Sequence, residues 1–127
     1  MQDFCVEMPV GLDSLIKIGE VLGGVGVNIE GLSVTSFKEQ GVLHFVVEDA
    51  VTAKTALESA GLKIKAITDV FVLDKDLKGV TGKSGSFGEI CKTLRDQGIK
   101  INFGYPAENN RFIFGVSDVE KAQVSFR

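Results

Sequence analysis

The chain has 127 residues, 44% hydrophobic and 24% charged, a globular balance that excludes a disordered or fibrous chain. Its 14 basic and 17 acidic residues give a net charge of −3 with no basic run, which argues against the cationic footprint of a nucleic-acid binder. Two cysteines and one histidine are too few for a disulfide framework or a typical transition-metal site.

Residues 2–8 are short, apolar and β-prone, and Pro9-Val10-Gly11 breaks them. Asp13 is the expected N-cap of a helix from Ser14, with Leu15, Ile18 and Leu22 as its apolar stripe. Gly23, Gly24 and Gly26 end it. Residues 27–37 read as a strand whose apolar parity shifts at Glu30-Gly31, so a bulge is expected there. A turn over residues 38–41 leads into 42–48, apolar on both faces and therefore a central strand, with His44 in a structural or interfacial role. Residues 50–60 are helical, Gly61 stops them, and 62–68 form a further strand.

The next stretch repeats the first. Residues 70–76 are a strand, 79–85 a glycine-rich loop, and 86–97 a helix with Phe87, Ile90, Cys91 and Leu94 expected on its buried side. Strands at 100–105 and 111–116 follow, joined through 106–110, and a second helix starts at Asp118. Leu15, Gly26 and Ile29 recur as Phe87, Gly98 and Ile101 at a constant offset of 72, and Asp49 recurs as Asp118 at 69. An offset this long marks a duplicated small domain rather than a solenoid. The expected fold class is α+β: two ferredoxin-like βαββαβ modules with antiparallel sheets, the second lacking or shortening its last strand. The modules are placed at residues 1–69 and 70–127, the second incomplete at its C-terminus.

Catalytic groups are scarce. No nucleophile, base and orienting group can be assembled from one histidine and two cysteines expected to be core thiols. Gly82-Lys83-Ser84 lacks the upstream glycine of a phosphate-binding loop, since Leu77 stands in that place. An RNA-binding sheet would want a basic surface around Phe45, Phe112 and Phe114, and an acylphosphatase-like enzyme would want an arginine in a first turn that has none. The candidate with chemical content is the loop between first strand and first helix in each copy: Gly11, Leu12, Asp13 and Ser14, and Gly82 to Ser86 through Lys83, Ser84 and Gly85. A helix N-terminus presents unpaired N–H groups and a positive dipole end to a carboxylate, and glycine allows close approach. Ordinary capped turns fit the same residues.

A glycine-bearing turn, a helix of pattern L-x-x-I-x-x-x-L, and Gly26-Val27-Asn28-Ile29 within βαββαβ together resemble the ACT domain. Val47-Glu48-Asp49 and Val116-Ser117-Asp118-Val119-Glu120-Lys121-Ala122 resemble the lead-in to that family's second helix. The likeness covers nearly the whole chain as a tandem pair. Copy one departs with Leu12-Asp13 where the family often has Pro-Gly, and copy two has Ser84-Gly85 there and Lys100 in place of Asn28.

The resemblance implies a non-enzymatic regulatory protein that binds an amino acid or similar small carboxylate, uses no cofactor or metal, and acts as a homodimer, with a metabolic enzyme as a further partner. It implies ligand contacts at the two first turns and at Asn28 and Asn102, and Asp13 directs the carboxylate to the second loop. The alternative is a protein–protein assembly module with no ligand site. Without a charged segment ahead of an apolar run, or an apolar stretch long enough to span a bilayer, a cytoplasmic protein with no membrane or nucleic-acid partner is expected.

Overall fold

A computed structural model describes residues 1–9 and 11–127, so Val10 of the expected break lies outside the described residues. The chain divides into two compact units, Met1–Thr68 and Asp69–Arg127. The architecture is α+β, with seven strands and four helices among the described residues.

In the first unit, β1 (Gln2–Pro9), α1 (Leu12–Gly24), β2 (Gly31–Phe37), β3 (Gln40–Val47), α2 (Ala50–Ser59) and β4 (Ala66–Asp69) follow the βαββαβ order. The strands lie in the order β4-β1-β3-β2, and β1 and β2 both pair antiparallel with β3. Strand alternation separates two faces. Phe4, Val6, Leu43, Phe45 and Val47 turn toward Ile18 and Leu22 of α1 and Ala53 and Leu57 of α2. Phe4 and Phe45 are register partners and their rings stack at 5.3 Å. On the opposite face His44 Nδ1 lies 2.8 Å from the Asp3 carboxylate, which is 1% exposed. A buried carboxylate needs such a partner. His44 is thus tied into the sheet.

The helix ends show why the repeat pattern folds twice. Gly26 follows α1 at φ 73° and Val27 N–H returns to the Leu22 carbonyl at 3.0 Å. Gly98 follows α3 (Ser86–Asp96) at φ 71° and Ile99 N–H returns to the Leu94 carbonyl at 2.9 Å. Glycine adopts this left-handed turn without a Cβ clash. Asp49 and Asp118 cap α2 and α4 (Val119–Ser125), accepting from Thr52 N–H at 3.1 Å and Lys121 N–H at 2.9 Å. The acidic lead-in motif is a pair of helix caps.

The second unit adds β5 (Phe71–Asp74), α3, β6 (Ile101–Ala107), β7 (Arg111–Val116) and α4, with strand order β6-β7-β5. Among the described residues β5 pairs with β7 alone, where β1 lies between β3 and β4. Phe71, Leu73, Ile90, Leu94, Phe114 and Val116 form its core.

Five local expectations are corrected. Residues 62–65 lie outside β4, which starts at Ala66. Asp13 does not cap α1: Gly11 is the N-cap, with no side-chain bond, and Asp13 lies in the first helical turn. Residues 27–30 are outside β2, and a register irregularity falls instead in copy two, between Ile101 and Phe103. Gly41 belongs to β3, and the turn is Lys38-Glu39. Phe87 is 55% exposed, its ring meeting Phe112 edge-on at 5.7 Å, while Ile90 and Leu94 are buried. Neither cysteine is fully enclosed. Burial, and then the negative charge of Asp3, push the Cys5 thiol up, away from reactive thiolate.

Candidate ligand site

The first turn of unit one opens onto a cavity of about 250 Å³. Its walls are Met8, Leu12, Leu15 and Val34, with Gly11 at the start of α1 and Ser36 on β2. Gly41 of β3 forms part of its floor, between its register partners Met8 and Ser36. Gly11 has φ 155°, a value side-chain-bearing residues rarely adopt, so the backbone requires glycine there. The first N–H groups of a helix have no partner within it, and Gly11 supplies no side-chain cap. A polar helix end and an apolar recess therefore share Gly11 and Leu12.

Asp13 is exposed beside that end, and Ser14 is half-buried. Asn28 follows the far end of α1, a helix roughly 20 Å long at 1.5 Å per residue, and donates to the Glu30 carboxylate. The structure does not bring Asn28 to the Gly11–Ser14 turn within unit one. Asn102 likewise lies beyond the far end of α3, at the irregular start of β6, and is exposed.

The loop of unit two is folded on itself. Asp74 accepts from the N–H groups of Asp76 and Leu77 at 3.0 and 3.1 Å. The Asp76 carboxylate accepts from the Thr81 hydroxyl and from Asn110 Nδ2 at 3.3 Å. The Thr81 bond first, and the Asn110 bond second, hold Asp76 below the usual carboxylate range. Lys83, Ser84 and Gly85 are exposed, and Gly85 caps α3 in the left-handed conformation at φ 82°. The Ser86 N–H is already donated to the Lys83 carbonyl at 3.2 Å. Ser86 borders a recess of about 340 Å³ that it shares with Lys78, Val80, Glu89, Thr93 and Arg127.

Sequence reasoning located Gly11 and Leu12 but missed Met8, Leu15, Val34, Ser36 and Gly41. Gly41, expected in the turn over 38–41, gave no such signal by itself. Among the described residues no group of three or more His, Cys, Asp or Glu side chains could hold a metal ion, and no helix is long and apolar enough to cross a membrane.

No family model matches the sequence, and no curated protein matches it. Solved structures do share the fold. Protein BT0572 from Bacteroides thetaiotaomicron superposes with a TM-score of 0.78 at 21% identity, over 98% of this chain and 84% of that one. The ligand-free regulatory subunit of aspartate kinase from Thermus thermophilus gives 0.72 at 16%, over 99% and 87%. The regulatory subunit of aspartate kinase from Thermus flavus gives 0.66 at 16%, over 99% and 87%. At these identities the likeness is one of fold.

Proposed function

We propose that this chain is a tandem pair of ACT-type domains, residues 1–69 and 70–127, that binds an amino acid or similar small carboxylate and has no catalysis of its own. It acts in the cytoplasm as a homo-oligomer and tunes a partner metabolic enzyme. The observation that carries this reading is the cavity at the first turn of unit one, where a helix N-terminus meets a recess of metabolite size. The shared fold with regulatory subunits of aspartate kinase supports it. Because Asp13 does not cap α1, the preference for the second loop is given up: the ligand carboxylate meets the N–H groups at Gly11–Ser14 and its remainder enters the recess. The loop through Lys83, Ser84, Gly85 and Ser86 is the second candidate, supported by its glycine cap and the recess beside Ser86.

A thermal-shift screen of the full chain against the twenty amino acids tests the reading. A ligand at about 100 times its Kd adds roughly 2.7 kcal/mol of apparent stability, a shift of several degrees for a chain of this size. At least one amino acid should give it. If none does, the reading of an assembly module without a ligand site takes its place. That alternative draws on the edge of β5, which has a strand partner on one side only, and edges left this way invite pairing between chains. Light scattering should show an oligomer under either reading.

A further inference from the structure

The glycines inside the strands differ in what lies over them. A Cβ on Gly115 would strike the Phe103 ring at 2.2 Å, and one on Gly104 would sit 3.0 Å from Phe114. Those two glycines make room for aromatic rings of the same unit. Gly41 is different. It has no left-handed backbone angle to justify glycine, and a Cβ there would meet only Met8, at ordinary contact distances of 3.5 and 3.7 Å. Among the described residues nothing but Met8 comes within 4 Å of that Cβ position, and Gly41, buried in the sheet, lines the first-turn cavity. Glycine within a strand often marks a place where a ligand approaches closely.

The walls carry a second message. None of the described residues lining the cavity bears a charge, and among them Ser36 alone offers a hydroxyl. A cationic or anionic ligand side chain placed there would give up part of its hydration with no counter-charge from the described lining residues in return. An aliphatic side chain would instead cover Met8, Leu12, Leu15 and Val34, of which Leu12 and Val34 are now 74% and 49% exposed.

We propose that the first-turn cavity selects an amino acid with an uncharged aliphatic side chain, and that Gly41 leaves the room for that side chain. The proposal rests on the ligand-binding reading above and narrows its ligand class. The carboxylate stays at the start of α1, and the aliphatic chain lies over Gly41 between Leu15 and Val34.

The test is a calorimetric titration of the full chain with L-leucine, L-isoleucine, L-valine, L-lysine and L-aspartate, repeated on Gly41→Val. Valine suits a strand better than glycine, so the variant should keep its fold and melting temperature. Its added methyl groups occupy the cavity and should weaken the best aliphatic ligand roughly a hundredfold, within the range for misfit methylenes in an apolar pocket. Val34→Thr, at a half-exposed position, is the second variant and should weaken the same ligand by roughly fivefold, from one hydroxyl turned toward an apolar group. Lysine or aspartate binding as well as the aliphatic amino acids would overturn the selectivity while leaving the ligand-binding function intact. An unchanged affinity in a folded Gly41→Val would overturn the location. Should Gly41→Val fail to fold, Val34→Thr decides: weakened binding supports the site, and unchanged binding overturns it. If no amino acid of any class binds, the functional reading falls, and this inference with it.

Discussion

The two copies repeat one pattern and treat their first strands and first loops differently. In copy one, β1 is flanked by β3 and β4, and Ile64 and Ile67 pack against the core from that side. In copy two, β5 has β7 alone. The connection from β1 to α1 is short and leaves a recess over Gly41, whereas residues 75–85 fold back through Asp74, Asp76, Thr81 and Asn110. The helix and its caps are what the two copies share, while loop length and edge strand decide where each copy's recess lies and what lines it.

The largest effect should come from the cores. Phe45 is fully buried and stacked on Phe4, so Phe45→Ala should cost about 3–5 kcal/mol by chemical denaturation. Phe114→Ala, in the core with the unflanked strand, has more room to relax and should cost less, about 3 kcal/mol. A greater loss at Phe114 than at Phe45 would break the comparison. Hydrogen exchange sharpens it further. Amides of β5 should exchange on the order of tenfold faster than those of β1, a difference of about 1.4 kcal/mol in opening free energy. Equal protection would mean that β5 is covered in the assembled protein, and its loss on dilution would identify a second chain as the cover.

Smaller effects concern caps and charges. Asp118→Ala removes the bond to Lys121 N–H and should cost about 1 kcal/mol. Serine at the same position should restore most of it. The lowered pKa values of Asp49 and Asp76 give a pH signature. A carboxyl whose folded pKa lies below its unfolded value contributes stability above the unfolded value, about 3.9 for Asp. That contribution is lost as pH falls through the folded value. The Thr52 bonds do this for Asp49, and the bonds from Thr81 and Asn110 do it for Asp76. Melting temperature should therefore fall on acidification below about pH 4, and Asp49→Asn with Asp76→Asn should flatten that fall. An unaltered acid limb would remove both carboxyls from the account.

The fold was legible because the features that specify it are local and occur twice. Leu22, Gly26 and Val27 return as Leu94, Gly98 and Ile99, and the two turns close in the same way. The apolar run over residues 42–48 marks β3 as a central strand, and the structure turns Leu43, Phe45 and Val47 toward the helices. Phe87 was misread because helical spacing cannot say where the sheet beneath a helix ends, and its ring reaches only the rim at Phe112. Asp13 was misplaced because Gly11 starts the helix two residues earlier. The candidate site was half legible. Gly11 and Leu12 follow from the turn, but Met8, Leu15, Val34 and Gly41 meet only after three strands and a helix are assembled. Gly41, next to Lys38-Glu39, looks like part of the turn until β3 is seen to begin at Gln40.

The proposal at stake is that the ligand enters the first-turn cavity of copy one rather than the recess beside Ser86 in copy two. The stoichiometry of an amino acid titrated into the full chain tests it most directly. The account predicts one L-leucine, L-isoleucine or L-valine bound per chain, with that site lost in Gly41→Val. Two equivalent sites per chain, or one site that survives Gly41→Val and is lost when the loop at Ser84 and Gly85 is altered, would contradict it.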